Sequence, residues 1–224
     1  MTNTLHRYGK ADSFRDDFII FAIPSRGKND ENCIPKLKDF LKICARHNPV
    51  NMGNGQRGTL SPERDLGPRS HWNRQDRPDW DAVIEGVIKP GTVSAVFCTE
   101  ADARECLREI IEADFGISVN VSTSVDNARK IAGECGISRH SVEYALSIKD
   151  PHDHLPNSQI LELSTMCGHG MVSFNLARKM LDMVREGRRT PEQAVATLTR
   201  FCPCGIYNPE RAKRLLLEAR REQR

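Results

Sequence analysis

A chain of 224 residues, 38% hydrophobic and 28% charged, has the make-up of an ordinary globular protein, with length for one large domain or two small ones. Its formal net charge of +3 is too small to argue for a nucleic-acid partner, and no apolar run approaches a membrane span. The opening MTNTLHRYGKADSFRDD lacks the basic-then-apolar pattern of a secretion signal, so the expected location is cytoplasmic, away from any membrane.

Residues 18–24, FIIFAIP, form an apolar run of strand length. Residues 31–47 set Ile34, Leu37, Leu41 and Cys44 near helical spacing. From Asn48 to Asp79 the sequence is rich in Gly, Pro, Asn and Arg without periodicity, and reads as a long binding or lid loop. WDAVIEGVI reads as a helix, and a clear alternation follows: strand 92–98, helix 101–114, strand 117–123, helix 125–135, strand 141–148. Short connections between such elements predict an open layered α/β sheet, ferredoxin-like or related, over residues 1–150.

KDPHDHLPNSQ, residues 149–159, has the composition of a linker, and residues 151–224 are expected to form an all-helical metal-binding domain. Three helices are predicted, at 171–186, 191–200 and 209–222. Val172, Leu176, Met180 and Val184 line one face of the first, which stops at Gly187. TPEQ, 190–193, is a capping box with Pro191 at the first helical position, and NPERA repeats the device with Asn208 and Pro209. The tail RAKRLLLEARREQR reads as a solvated basic helix face.

Eight cysteines are too few for a secreted disulfide scaffold of this length. Cys33, Cys44, Cys98, Cys106 and Cys135 sit singly and read as small apolar residues. The others cluster: STMCGHGMVS holds Cys167 and His169, and FCPCGIYNPERA holds Cys202 and Cys204. Both pairs lie in loops beside an intervening helical hairpin, which can bring them together. Three thiols and an imidazole suit a Cys3His zinc site or an iron-sulfur cluster. Gly168, Gly170 and Gly205 flank the donors, where missing side chains would let backbone amides approach sulfur.

The order cysteine pair, helix, Gly187, Thr190 and Glu192, second helix, cysteine pair resembles the [2Fe-2S] domain of bacterioferritin-associated ferredoxin over about residues 164–208. The resemblance implies a small helical fold whose loops hold a two-iron cluster at Cys167, His169, Cys202 and Cys204, with a redox partner protein. Two departures stand out: His169 replaces the second cysteine of the first pair, and Cys-Pro-Cys replaces a wider second pair. An imidazole ligand raises a cluster's potential and makes it pH-dependent; zinc is the natural occupant if cluster assembly is lost.

Two other features invite chemistry. Arg57, Arg64, Arg69, Arg74 and Arg77, with His71 and Trp72, suit a small anionic ligand through bidentate hydrogen bonds and stacking, and such a loop facing the metal would describe a metal-dependent enzyme. His152 and His154 lie in the linker-like DPHDH, where a solvated polar loop is the simpler reading.

Overall fold

The computed structural model describes residues 5–55, 57–58, 79–142, 154–202 and 204–221. Five strands form one sheet: β1 (Phe18–Ile23), β2 (Asn51–Asn54), β3 (Arg57–Gly58), β4 (Val93–Phe97) and β5 (Ser118–Ser122). Their order is β3-β2-β4-β1-β5, and every neighbouring pair is antiparallel. The register pairs Ile20 with Ala95 on one side and Val121 on the other. β4 lies between β1 and β2, and β1 between β4 and β5. Two β-α-β units therefore interlock through α1 (Cys33–Arg46) and α3 (Glu100–Ala113), as a ferredoxin-like sheet requires.

Side chains alternate across a strand, so β1 can be apolar throughout only if both sheet faces are covered. They are. Phe18, Ile20 and Ala22 join Met52, Val93, Ala95 and Phe97 under Leu37, Phe40 and Leu41 of α1 and Ala103, Leu107 and Ile110 of α3. Cys44 and Cys106 are buried in the same core with their sulfurs 3.7 Å apart, the role of small apolar residues expected of them. Ile19, Phe21 and Val96 point the other way, into a second core built with the C-terminal helices. Each such buried aliphatic contributes about 1.5–3 kcal/mol, so the helices are bound to the sheet by shared apolar area.

Those helices are α5 (Ser158–Ser164), α6 (Phe174–Arg185), α7 (Pro191–Thr199) and α8 (Pro209–Arg221). The predicted caps form. Thr190 accepts from Gln193 N, the Gln193 side chain accepts from Thr190 N, and Pro191 opens α7. Asn208 Oδ1 accepts from the backbone of Glu210 and Arg211, both at 3.0 Å. Gly187, at φ +71, ends α6, and Arg189 N donates to Met183 O, closing the turn. Earlier in the chain α2 (Trp80–Glu85) and α4 (Val125–Glu134) complete the helices predicted there.

Three expectations are corrected. β2 lies inside the stretch expected to be loop: its asparagines are buried because Asn51 Nδ2 donates to Tyr207 O at 2.8 Å and Asn54 Nδ2 to Val83 O at 3.0 Å. α5 occupies the end of the expected linker and beyond, started by Asn157, whose side chain accepts from Ile160 N. The basic tail is not a wholly solvated face, since Arg211 is fully buried beside Ala212 and Leu216. The strand expected at 141–148 falls, apart from Ser141 and Val142, outside the described residues. Among the described residues no helix is long and apolar enough to cross a membrane.

Candidate metal centre

The clustered cysteines and His169 sit on two loops. Residues 165–173 join α5 to α6, and residues 200–208 join α7 to α8. α6 packs against α7, and α7 against α8, so the short turn at Gly187 brings the two loops side by side.

Each loop is seated by partners far away in sequence. In the first, Arg7 Nε donates to Met166 O at 2.9 Å and Tyr8 N to Thr165 Oγ1 at 2.9 Å. Gly168 has φ +72, and a Cβ there would lie 2.8 Å from His6 N, so the N-terminal segment can cross it only because it is glycine. In the second, Ser94 Oγ donates to Cys204 O at 3.2 Å. Gly205 and Gly53 of β2 meet backbone to backbone: a Cβ on Gly205 would stand 2.3 Å from Met52 O, and one on Gly53 2.3 Å from Cys204 O. Tyr207, fully buried, ties the second loop to α5 by donating its hydroxyl to Leu163 O at 3.1 Å.

The donor atoms of Cys167, His169 and Cys204 all lie within 4.8 Å of one another. His169 Nδ1 is 3.3 Å from the Cys204 sulfur, and the Cys202 sulfur is 3.3 Å from that same atom. Cys167, His169 and Cys204 form a group that could hold a metal ion, and Cys202 adjoins it through Cys204. A tetrahedral zinc ion, with bonds of about 2.3 Å to sulfur and about 2.0 Å to nitrogen, sets its donors roughly 3.5–3.8 Å apart. The two sulfur contacts at 3.3 Å, Cys202–Cys204 and His169–Cys204, lie within about half an ångström of that spacing.

Burial grades across the group: Cys167 and Cys202 are sealed in the second core, Cys204 is half-buried and His169 is exposed. Hydrogen bonds from Cys202 and Cys204, with help from the ring and backbone N–H of His169, pull the Cys167 thiol far below its ordinary range despite burial. His169 is pushed up to about 10, by Cys167 first and Cys204 second. Cys202 is pushed up instead, by hydrogen bonding to Cys167 and Cys204 and by burial. These shifts favour thiolate at Cys167 and imidazolium at His169, and a cation binding there would have to displace the imidazole proton.

Of the three glycines expected beside the donors, Gly168 and Gly205 serve loop seating, while Gly170 has φ +67 and nothing near its missing side chain. The backbone amide that reaches the Cys167 sulfur belongs to His169. The Arg-rich stretch, including Arg64, Arg69, His71, Trp72, Arg74 and Arg77, lies outside the described residues, and of Arg57 only the backbone, in β3, is described. His152 is likewise outside, and His154 is exposed.

Sequence reasoning missed the polar core beneath the first loop. Asp17, fully buried, accepts from Arg7, from Arg211 Nη1 at 2.8 Å and from Asn208 Nδ2 at 3.0 Å. Arg211 Nη2 also donates to Glu162 at 3.1 Å. Phe14 takes both guanidinium groups against its ring, at 4.9 Å for Arg7 and 4.1 Å for Arg211. No local pattern announces such a cluster, because Asp17 and Arg211 are 194 positions apart.

Compared with known protein families, curated proteins and solved structures, the chain finds no match.

Proposed function

We propose that this is a metal-binding protein in which Cys167, His169, Cys202 and Cys204 hold a single zinc ion, closing the two C-terminal loops over the sheet. The observation that carries the reading is the tightness of the group, with donors of Cys167, His169 and Cys204 within 4.8 Å of one another. One tetrahedral ion accepts donors at that spacing; a two-iron cluster divides its four ligands between two metals and needs the pairs set apart by the length of the cluster. The donor set, three thiols and one imidazole, is also one that structural zinc sites use. The role is clasping: zinc joins loops already positioned by Arg7, Ser94 and the Gly53–Gly205 contact. A reducing, cytoplasmic setting suits it, since thiolate ligands must stay unoxidised.

Anaerobic purification followed by metal analysis and a visible spectrum tests this. One zinc per chain in a colourless protein is expected. Iron with acid-labile sulfide and visible absorption would replace this reading by the [2Fe-2S] redox module that the bacterioferritin-associated ferredoxin resemblance implies, and neither metal would remove both.

A further inference from the structure

We infer that Cys204 is an oxidation site through which a peroxide ejects the bound metal and converts the metal clasp into a Cys167–Cys204 disulfide. The inference rests on the zinc reading above. It starts from unequal access: Cys167 and Cys202 are 0% and 1% exposed, whereas Cys204 is half-buried beside the exposed His169. A small oxidant reaches one sulfur of the three. Metal-bound sulfur is thiolate in character, the form that attacks peroxide.

The chemistry balances with hydrogen peroxide as the oxidant. The Cys204 thiolate attacks one peroxide oxygen, the O–O bond breaks, and the departing hydroxide takes a proton to leave as water; Cys204 becomes a sulfenic acid. The Cys167 thiolate then attacks the Cys204 sulfur, the S–O bond breaks, and a second water leaves after protonation. Two thiolates have lost two electrons and peroxide has gained them. Zinc loses two of its three sulfur donors and dissociates.

Geometry selects Cys167 as the second sulfur. Its donor atom lies within 4.8 Å of that of Cys204, on the other loop. The Cys202 sulfur is also near, at 3.3 Å, but a bond between Cys202 and Cys204 closes a ring over a single intervening residue, where the dihedral a disulfide needs is strained. Metal loss does not scatter the sulfurs, because the loops are held independently: the first by Arg7 and the N-terminal crossing at Gly168, the second by Ser94 and β2. The disulfide therefore forms between loops that remain in place.

The test uses the zinc-loaded full chain, with metal content measured beforehand, exposed to hydrogen peroxide beside a chromogenic zinc chelator. One zinc released per chain is expected, with differential alkylation and mass mapping showing Cys167 and Cys204 lost together, Cys202 still alkylatable, and dithiothreitol restoring both thiols and zinc binding. In Cys204→Ser, which also lacks a zinc ligand, the readout is thiol chemistry: peroxide at the same dose should leave Cys167 and Cys202 alkylatable. Zinc retained with all thiols intact, a disulfide containing Cys202, or oxidation that starts at Cys167 would overturn the inference while leaving the zinc reading standing. A chain that holds no zinc before peroxide is added overturns both.

Discussion

Replacing Gly53 by alanine tests whether the sheet positions the proposed metal centre. The site is on β2, far from the donors in sequence, and its φ is unremarkable, so alanine introduces no backbone strain there. It introduces a collision: the new Cβ would lie 2.3 Å from Cys204 O, 2.7 Å from Cys204 C and 2.9 Å from Gly205 Cα. All three are backbone atoms, so no side chain can swing aside. To reach even 3.0 Å the second loop must withdraw by about 0.7 Å, and overpacking of this kind costs about 1–3 kcal/mol. Cys204 moves with its carbonyl, and 0.7 Å is large against a zinc-sulfur bond of about 2.3 Å. The expectation is a fall in melting temperature of about 2–12 °C and weaker zinc binding, read by chelator competition. Gly187→Ala is the control: it carries left-handed strain at φ +71 but meets nothing within 4 Å, so it should cost about 1 kcal/mol and leave zinc affinity unchanged. Wild-type zinc affinity and stability in Gly53→Ala would refute the reasoning that sheet-to-loop contact sets the position of Cys204.

Asp17→Asn removes the one carboxylate shared by buried Arg7 and Arg211, and leaving such charges uncompensated should cost about 3–5 kcal/mol, measured by denaturant unfolding. The zinc-free protein should have a stability plateau in pH. His169, raised from 6.5 to about 10, contributes fully below 6.5 and loses its contribution as pH rises to about 10; Cys167, lowered from 9.0, contributes fully above 9.0 and less as pH falls. The slopes oppose each other between those ordinary values, so thermal unfolding of the reduced, zinc-free chain should be nearly flat from pH 6.5 to 9 and fall on either side; His169→Gln should make the alkaline fall shallower without abolishing it, because the raised Cys202 thiol also loses stability above 9.0. Chelation of the metal should lower the melting temperature yet leave far-ultraviolet helicity intact, because α5 to α8 share a core with Ile19, Phe21 and Val96; wholesale loss of helix on chelation would contradict that.

What could be read in the sequence is what local chemistry decides. The Thr190 capping box, the Asn208 cap and the stop at Gly187 are short-range devices whose partners lie within a few residues, and they occur where the pattern placed them. Apolar runs of strand length and period-3.6 spacing likewise located β1, β4, β5 and most helices, while the order of the strands in the sheet came only from the fold. The pairing of Cys167 and His169 with Cys202 and Cys204 followed because a helical hairpin has only one way to return.

Tertiary structure alone decided the rest. Asn51, Gly53 and Asn54 read as loop because their polarity and flexibility are unsatisfied locally; they become a buried strand only when Tyr207, the Cys204 loop and Val83 supply partners from elsewhere. Arg211 reads as a surface charge until Asp17 and Glu162, brought from distant parts of the chain, meet its guanidinium in the core. The tight grouping of the donors belongs to this second class as well. Sequence spacing brings two loops near one another, but a separation within 4.8 Å is set by what presses on each loop from the N-terminal segment and the sheet, and those contacts exist only once the chain has folded.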